Sequence, residues 1–148
     1  MPEVATFHDY WPLVVIEAPV HSSVEAMEFF CARHDELFKR RERFATINDM
    51  RRMRGMVDPK ARKIVGDWTK AREIEIGRWL VATANVVDNP LIRGVITAVH
   101  WFVKPPSPLL VTGHMREGVD FCVGHLRREK IPLSAKLHDA LGQPYLGA

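Results

Sequence analysis

Apolar residues along the chain fall in blocks, and their spacing alternates between continuous and helical. Leu13, Val14, Val15 and Ile16 form an unbroken apolar run, three of the four β-branched, which predicts a strand buried on both faces. The segment 4–10 is expected to pair beside it as an edge strand. After Ser22 and Ser23 the spacing changes to three and four, through Val24, Met27, Phe30/Cys31, His34 and Leu37/Phe38. The two serines are N-cap residues, Glu25 and Glu28 suit the first turns, and a helix is predicted to about Arg43. His34 sits on the apolar stripe with no second ligand spaced to it, so it reads as a core-edge histidine and not as a metal ligand.

The pattern then repeats. Residues 44–48 predict a buried strand, followed by a loop containing Gly55. Asp58 and Pro59 are an N-cap and a proline at the first helical position, opening a helix through Ile64/Val65, Trp68 and Ala71 to about Ile76, with Gly77 as its terminator. Residues 79–87 are long and apolar enough for a central strand. Asp88, Asn89 and Pro90 cap a helix over 91–102 that is apolar on nearly every side, and the prolines at 105, 106 and 108 end it. A strand at 109–112 and Gly113 lead to a helix over 115–128 with Val119, Cys122/Val123 and Leu126 on its inner stripe. A short helix is expected at 134–141, inside a 131–148 segment that reads as a weakly ordered tail or a strap.

Strands alternating with helices in this way require right-handed crossovers and a mostly parallel sheet. The expected fold is α/β, a sandwich with four or five strands and about four main helices, in which only the first pair of strands is antiparallel. The whole length, 1–148, is expected to be a single domain with its core at about 11–128.

Composition adds limits. A chain of 148 residues, 47% hydrophobic, is large enough to bury about two-thirds of its unfolded surface without a metal or a disulfide. Cys31 and Cys122 lie in helical patterns and no secretory segment precedes Pro12, so a reducing cytoplasm is the expected compartment. The longest apolar run, 95–103, is about half of the roughly 20 residues a membrane helix needs. Net charge is +3, but residues 39–63 hold ten Lys and Arg against Glu42, Asp49 and Asp58, which leaves the rest of the chain net acidic. Such a dipolar chain offers acidic or phosphorylated partners one positive face. The plainer alternative is that these are the solvated ends of two helices.

Known chemical signatures are missing. No glycine fingerprint for dinucleotides follows a strand, and there is no P-loop and no nucleophile elbow. The seven histidines show no metal-ligand spacing. His21 and His114, each just past a strand, would serve acid/base chemistry only by converging with Asp49. Nucleic acid is argued against, because the aromatic residues are not interleaved with the basic cluster and no recognition motif is present. No cofactor and no metal is implied.

Three phrases, FATINDMR at 44–51, NPLIRGVITAVHW at 89–101 and KPPSPLLVTGHMREGVDFCVGHLRR at 104–128, resemble the STAS superfamily, the SpoIIAA-like anti-sigma-factor antagonist fold. Within it they resemble a group of small stand-alone bacterial proteins, over about residues 11–128. The resemblance implies a non-enzymatic signalling module that works by docking another protein. In regulatory members a serine or threonine near the start of the helix after the second core strand is phosphorylated by a partner kinase. The corresponding loop here, 49–58, contains no serine, threonine or tyrosine, and only Asp49 matches the family's acidic position.

The partner surface is therefore expected at Asp49, Arg51, Arg52, Arg54 and Asp58, where arginines beside a helix N-terminus suit an anionic group on the partner. A second surface is expected on the apolar helix 91–102, with Ile92, Trp101 and Phe102 as anchors of a homodimer or other contact. The alternative function is a small-molecule or lipid-binding domain with its pocket near that helix.

Overall fold

The computed structural model describes residues 6–55, 58–102 and 104–142, with 99–102 as backbone alone. Its elements are β1 (Thr6–Phe7), β2 (Leu13–Glu17), α1 (Val24–Phe38), β3 (Phe44–Asp49), α2 (Pro59–Ala71), α3 (Glu73–Trp79), β4 (Leu80–Val86), α4 (Pro90–Phe102), β5 (Leu109–Thr112), α5 (Met115–Arg128) and α6 (Ala135–Leu141). They build one five-stranded sheet in the order β1-β2-β3-β4-β5. Only β1 runs antiparallel to its neighbour. This is the expected α/β architecture.

The crossovers from β2 to β5 all step the same way across the sheet, so right-handed connections place α1, α2–α3 and α4 on one face. α5 follows the last strand and folds back over the other. Strand periodicity divides the core accordingly. Leu13, Val15, Ala45, Ile47, Ala84 and Val86 meet Met115, Val119, Cys122 and Leu126 of α5, and Leu137 of α6 joins them. Val14, Ile16 and Phe44 meet Leu37 and Phe38 of α1 and Ile76 of α3, with Trp11, Trp68 and Trp79 around them. α5 approaches β4 closely because residue 118 is glycine: a Cβ there would stand 3.3 Å from both Ala84 Cβ and Val86 Cγ2.

Several boundaries differ from expectation. α1 is capped by Ser23, whose Oγ accepts from the Ala26 amide, but it stops at Phe38, five residues before Arg43. The reason is local, since Arg41 takes a left-handed φ of 53° and turns the chain into β3. The single helix expected from Pro59 to Ile76 is two helices that meet at Arg72 (φ −106°). Gly77 consequently lies inside α3 instead of ending a helix. In the 131–148 segment, α6 is capped by Ser134 and buries Leu137 completely, while 143–148 fall outside the described residues.

Candidate functional site

In a parallel sheet the chain leaves each strand at one edge and enters the next helix there. The C-terminal edge therefore collects the N-termini of α1, α2, α4 and α5, and the loop 49–58 lies on it. The loop is held by specific bonds. The Met50 amide donates to the Val86 carbonyl (2.8 Å) and the Arg54 amide to the Val20 carbonyl (2.8 Å), tying the loop to the ends of its neighbours. The Met53 amide closes a turn on the Met50 carbonyl (3.2 Å), and Gly55 takes a φ of +76° that other residues rarely adopt.

Asp49 and Arg51 form the centre of the loop. Asp49 is 7% exposed, and its Oδ1 accepts from Arg51 Nε (2.9 Å) and the Arg51 amide (3.2 Å) while Oδ2 accepts from Arg51 Nη2 (2.8 Å). Hydrogen bonding to Asp49 raises the Arg51 pKa above its ordinary value. The bidentate arrangement neutralises a buried carboxylate, so Arg51 shapes the loop. Arg52 differs, with a side chain 72% exposed and Glu17 at 3.8 Å. Arg54 is exposed and has no ion pair among the described residues. Asp58 caps α2 by accepting from the Lys60 amide (2.7 Å). The arginines thus divide into one structural residue and two that face solvent.

Much of the basic cluster is engaged elsewhere. Arg40 lies over the Trp11 ring (3.5 Å) and pairs with Glu42, and Arg43 pairs with Glu129. Lys39 pairs with Glu36 and Lys63 with Asp67 on their own helices. Arg41, Arg54, Lys60 and Arg62 have no ion pair among the described residues, and the last three belong to the loop and the start of α2.

Beside the loop lies a cleft of about 350 Å³ lined by Met50, Arg51, Met53, Val87, Asp88, Asn89, Pro90 and Ile92. Its far wall is the start of α4, where Asn89 Oδ1 accepts from the Leu91 amide (2.9 Å) and the Ile92 amide (3.4 Å). Arg93 fastens this helix to the sheet edge, donating from Nη1 to the carbonyls of Val87 (2.9 Å) and Asp88 (3.3 Å). Gly113 makes room for that guanidinium, which a Cβ would strike. Ile92, one of the expected interface anchors, is buried in its own chain, and the exposed apolar residue at this end of α4 is Leu91 (68%). The side chains of Trp101 and Phe102 lie outside the described residues.

The sequence reading missed a buried polar ladder under the helical face. Thr46 and Thr83 are register partners with their hydroxyls 3.3 Å apart, and one step along Asn48 Nδ2 donates to Asn85 Oδ1 (2.8 Å). The signal was present as a Thr-x-Asn triplet in both central strands, 46–48 and 83–85. A one-residue slip would separate both pairs, so the ladder fixes the register of β3 on β4. His34 lies above it, 4% exposed, with Nδ1 2.9 Å from the Phe30 carbonyl. Burial pushes its pKa below the ordinary value.

His21 and His114 are exposed, and the described hydrogen bonds of the Asp49 carboxylate all come from Arg51. Among the described residues no group of His, Cys, Asp and Glu is placed to hold a metal, and no helix is long and apolar enough to cross a membrane.

No family model and no curated protein matches the chain. Among solved structures it is similar to an uncharacterized protein of the DUF3478 family from Shewanella loihica, which has a SpoIIAA-like fold. The TM-score is 0.57 and the sequence identity 13%, with 82% of this chain and 92% of the other covered. At that identity the likeness is one of architecture. The sheet order, the single antiparallel strand and this superposition together make the chain a SpoIIAA-like, or STAS-like, α/β fold.

Proposed function

We propose that the protein is a non-enzymatic regulatory module of the cytoplasm that docks a protein partner through the 49–58 loop and the helix starts beside it. The observation that carries this reading is the contrast within the loop. Asp49 and Arg51 lock its shape from below, while Arg52 and Arg54 stand exposed at an edge where helix N-termini converge. The preferred partner surface is acidic or phosphorylated, because it supplies an anion to Arg54, which has no ion pair among the described residues, and to Arg52, whose contact with Glu17 is long and exposed. With no hydroxyl in the loop, control by its phosphorylation has no acceptor here, and switching belongs to the partner.

The test is a pull-down with wild type and an Arg52→Glu/Arg54→Glu variant. Arg51 is left intact, since reversing its charge would unfold the loop around Asp49. A protein retained by wild type and lost by the variant is the expected result. Retention by both overturns the assignment.

A second reading has one observation in its favour. A depression of about 340 Å³ lies between α4 and β5, lined by Pro90, Arg93, Gly94, Thr97, Ala98 and Val111. A small molecule or lipid chain bound there would shift the methyl signals of Ala98 and Val111 in an NMR titration, whereas a pure docking module gives no change.

A further inference from the structure

α1 and α2 each follow a strand of the parallel sheet, so they run side by side and in the same direction on one face. Contacts between them fix their levels. Ala26 and Met27 share a core cluster with Ala61, and the His34 and Trp68 rings meet edge-on at 5.5 Å. With His34 level with Trp68, Glu28 stands level with Arg62, Arg33 with Asp67 and Glu36 with Lys70, while Glu25 is level with the start of α2, where Lys60 lies. Opposite signs thus accompany one another down the two helices, and the order of signs reverses at Arg33 and Asp67. The net charges are equal and opposite, with four acids against Arg33 on α1 and four bases against Asp67 on α2. Little of this charge is used within the chain. Asp35 pairs with Arg72 at the end of α2, and Glu36 and Asp67 pair with lysines of their own segments. Glu25, Glu28, Arg33, Lys60, Arg62 and Lys70 are exposed and have no ion pair among the described residues.

We propose that the outer face of α1 and α2 pairs with the same face of a second copy of this chain, about a two-fold axis parallel to the helices that sets Glu25 and Glu28 of each copy against Lys60 and Arg62 of the other. Rotation about such an axis lays α1 of one copy over α2 of the other and keeps every level, so Arg33 meets Asp67 and Glu36 meets Lys70 as well. Charge selects this occupant. A partner of one sign would match one helix and be repelled by its neighbour, whereas a second copy matches both at once, including the reversal at Arg33 and Asp67. The same pairing is weak by construction. Exposed ion pairs are individually small and screened by salt, and two helices about 20 Å long present a face at the low end of specific interfaces. A reversible, salt-sensitive dimer follows. It is independent of the docking function proposed above, which rests on Arg52 and Arg54.

Analytical ultracentrifugation of the full chain tests the pairing through charge reversal. Two variants are compared with wild type, Glu25→Lys/Glu28→Lys and Lys60→Glu/Arg62→Glu, all at exposed positions whose side chains make no described bond. Wild type is expected to dimerise at an ionic strength of about 0.02 M and to dissociate at about 0.5 M, where screening is nearly complete over the length of an ion pair. Each variant alone should dimerise at least tenfold more weakly, because one sign then faces itself across the axis. Mixed in equal amounts, the two variants should recover the dimer, since the all-basic face of one meets the all-acidic face of the other. A single chain carrying all four reversals should recover it too, which guards against a variant that merely folds poorly. Wild type that sediments as a monomer at low salt overturns the pairing and leaves the face to a different partner. A dimer that resists salt and is unchanged in both variants places the contact elsewhere, and failure of both the mixture and the fourfold reversal to recover the dimer overturns the two-fold arrangement.

Discussion

At the scale of single residues, the charged groups divide by burial. Asp49 is almost fully enclosed, so removing Arg51 leaves a carboxylate without its counter-ion, a change that costs about 3–5 kcal/mol at fully buried sites. Because the Arg51 side chain is 30% exposed, water recovers part of this, and Arg51→Met is expected to cost about 2–3 kcal/mol in a urea titration. Arg52→Met breaks only an exposed contact and should change stability by less than about 1 kcal/mol. His34 gives a pH dependence with a definite sign. Burial depresses its folded pKa, so the unfolded chain binds the proton more readily; the stability is complete above the unfolded value of about 6.5 and is lost as pH falls below it. The Asp35 charge, the Phe30 carbonyl and the Asn48 amide work against this shift without cancelling it. His125, depressed by burial and by Arg128, acts in the same direction, so the measurement compares wild type with His34→Asn. The urea midpoint should fall less in the variant between about pH 7 and pH 5. Equal falls would contradict the account. Burial likewise pushes Cys31 up to about 11 and Cys122 up to about 12, and neither thiol should react with a thiol reagent at about pH 8 until the protein unfolds.

At the scale of elements, the two faces of the sheet are covered unequally. α5 is seated across β3, β4 and β5 with its glycine against Ala84 and Val86, so Gly118→Val must push the helix outward and is expected to cost about 1–3 kcal/mol. α4 packs chiefly on β5 and, among its described side chains, buries only Ile92. Amide hydrogen exchange should accordingly be much faster in α4 than in α5, and equal protection would show that α4 is sealed more tightly than these contacts imply. This difference was not legible in the sequence, where the apolar character of 91–102 reads the same whether a helix is buried or waiting for a cover. The caps were legible because one side chain decides each of them: Ser23, Asp58, Asn89 and Ser134 all accept from the amides they were expected to cap or lie beside. The end of α1 and the break at Arg72 were not: the charged residues 39–43 suit a solvated last helical turn as well as the turn the backbone makes at Arg41, and apolar residues continue past Arg72 at Ile74 and Ile76.

For the whole molecule, alternation of strand and helix blocks was enough to give the parallel sheet and its one antiparallel edge, since chain connectivity leaves few other solutions. The place of the 49–58 loop at the C-terminal edge of the sheet was legible, and the different roles of its arginines were not. Spacing located the arginines, yet only three dimensions separate Arg51, which holds Asp49, from Arg52 and Arg54, which face outward. The cleft beside them joins residues from two loops and a helix start, and no sequence pattern brings Met50 to Ile92. The proposed recognition surface lies at one edge of the sheet, and the most direct measurement is photo-crosslinking in a native lysate. A photoreactive residue is placed in turn at Arg52, at Arg54 and, on the opposite side of the molecule, at exposed Asp120 of α5. One protein adduct formed at both 52 and 54 and not at 120 is the result expected. An adduct formed equally at 120, or only there, would contradict the placement of the docking surface.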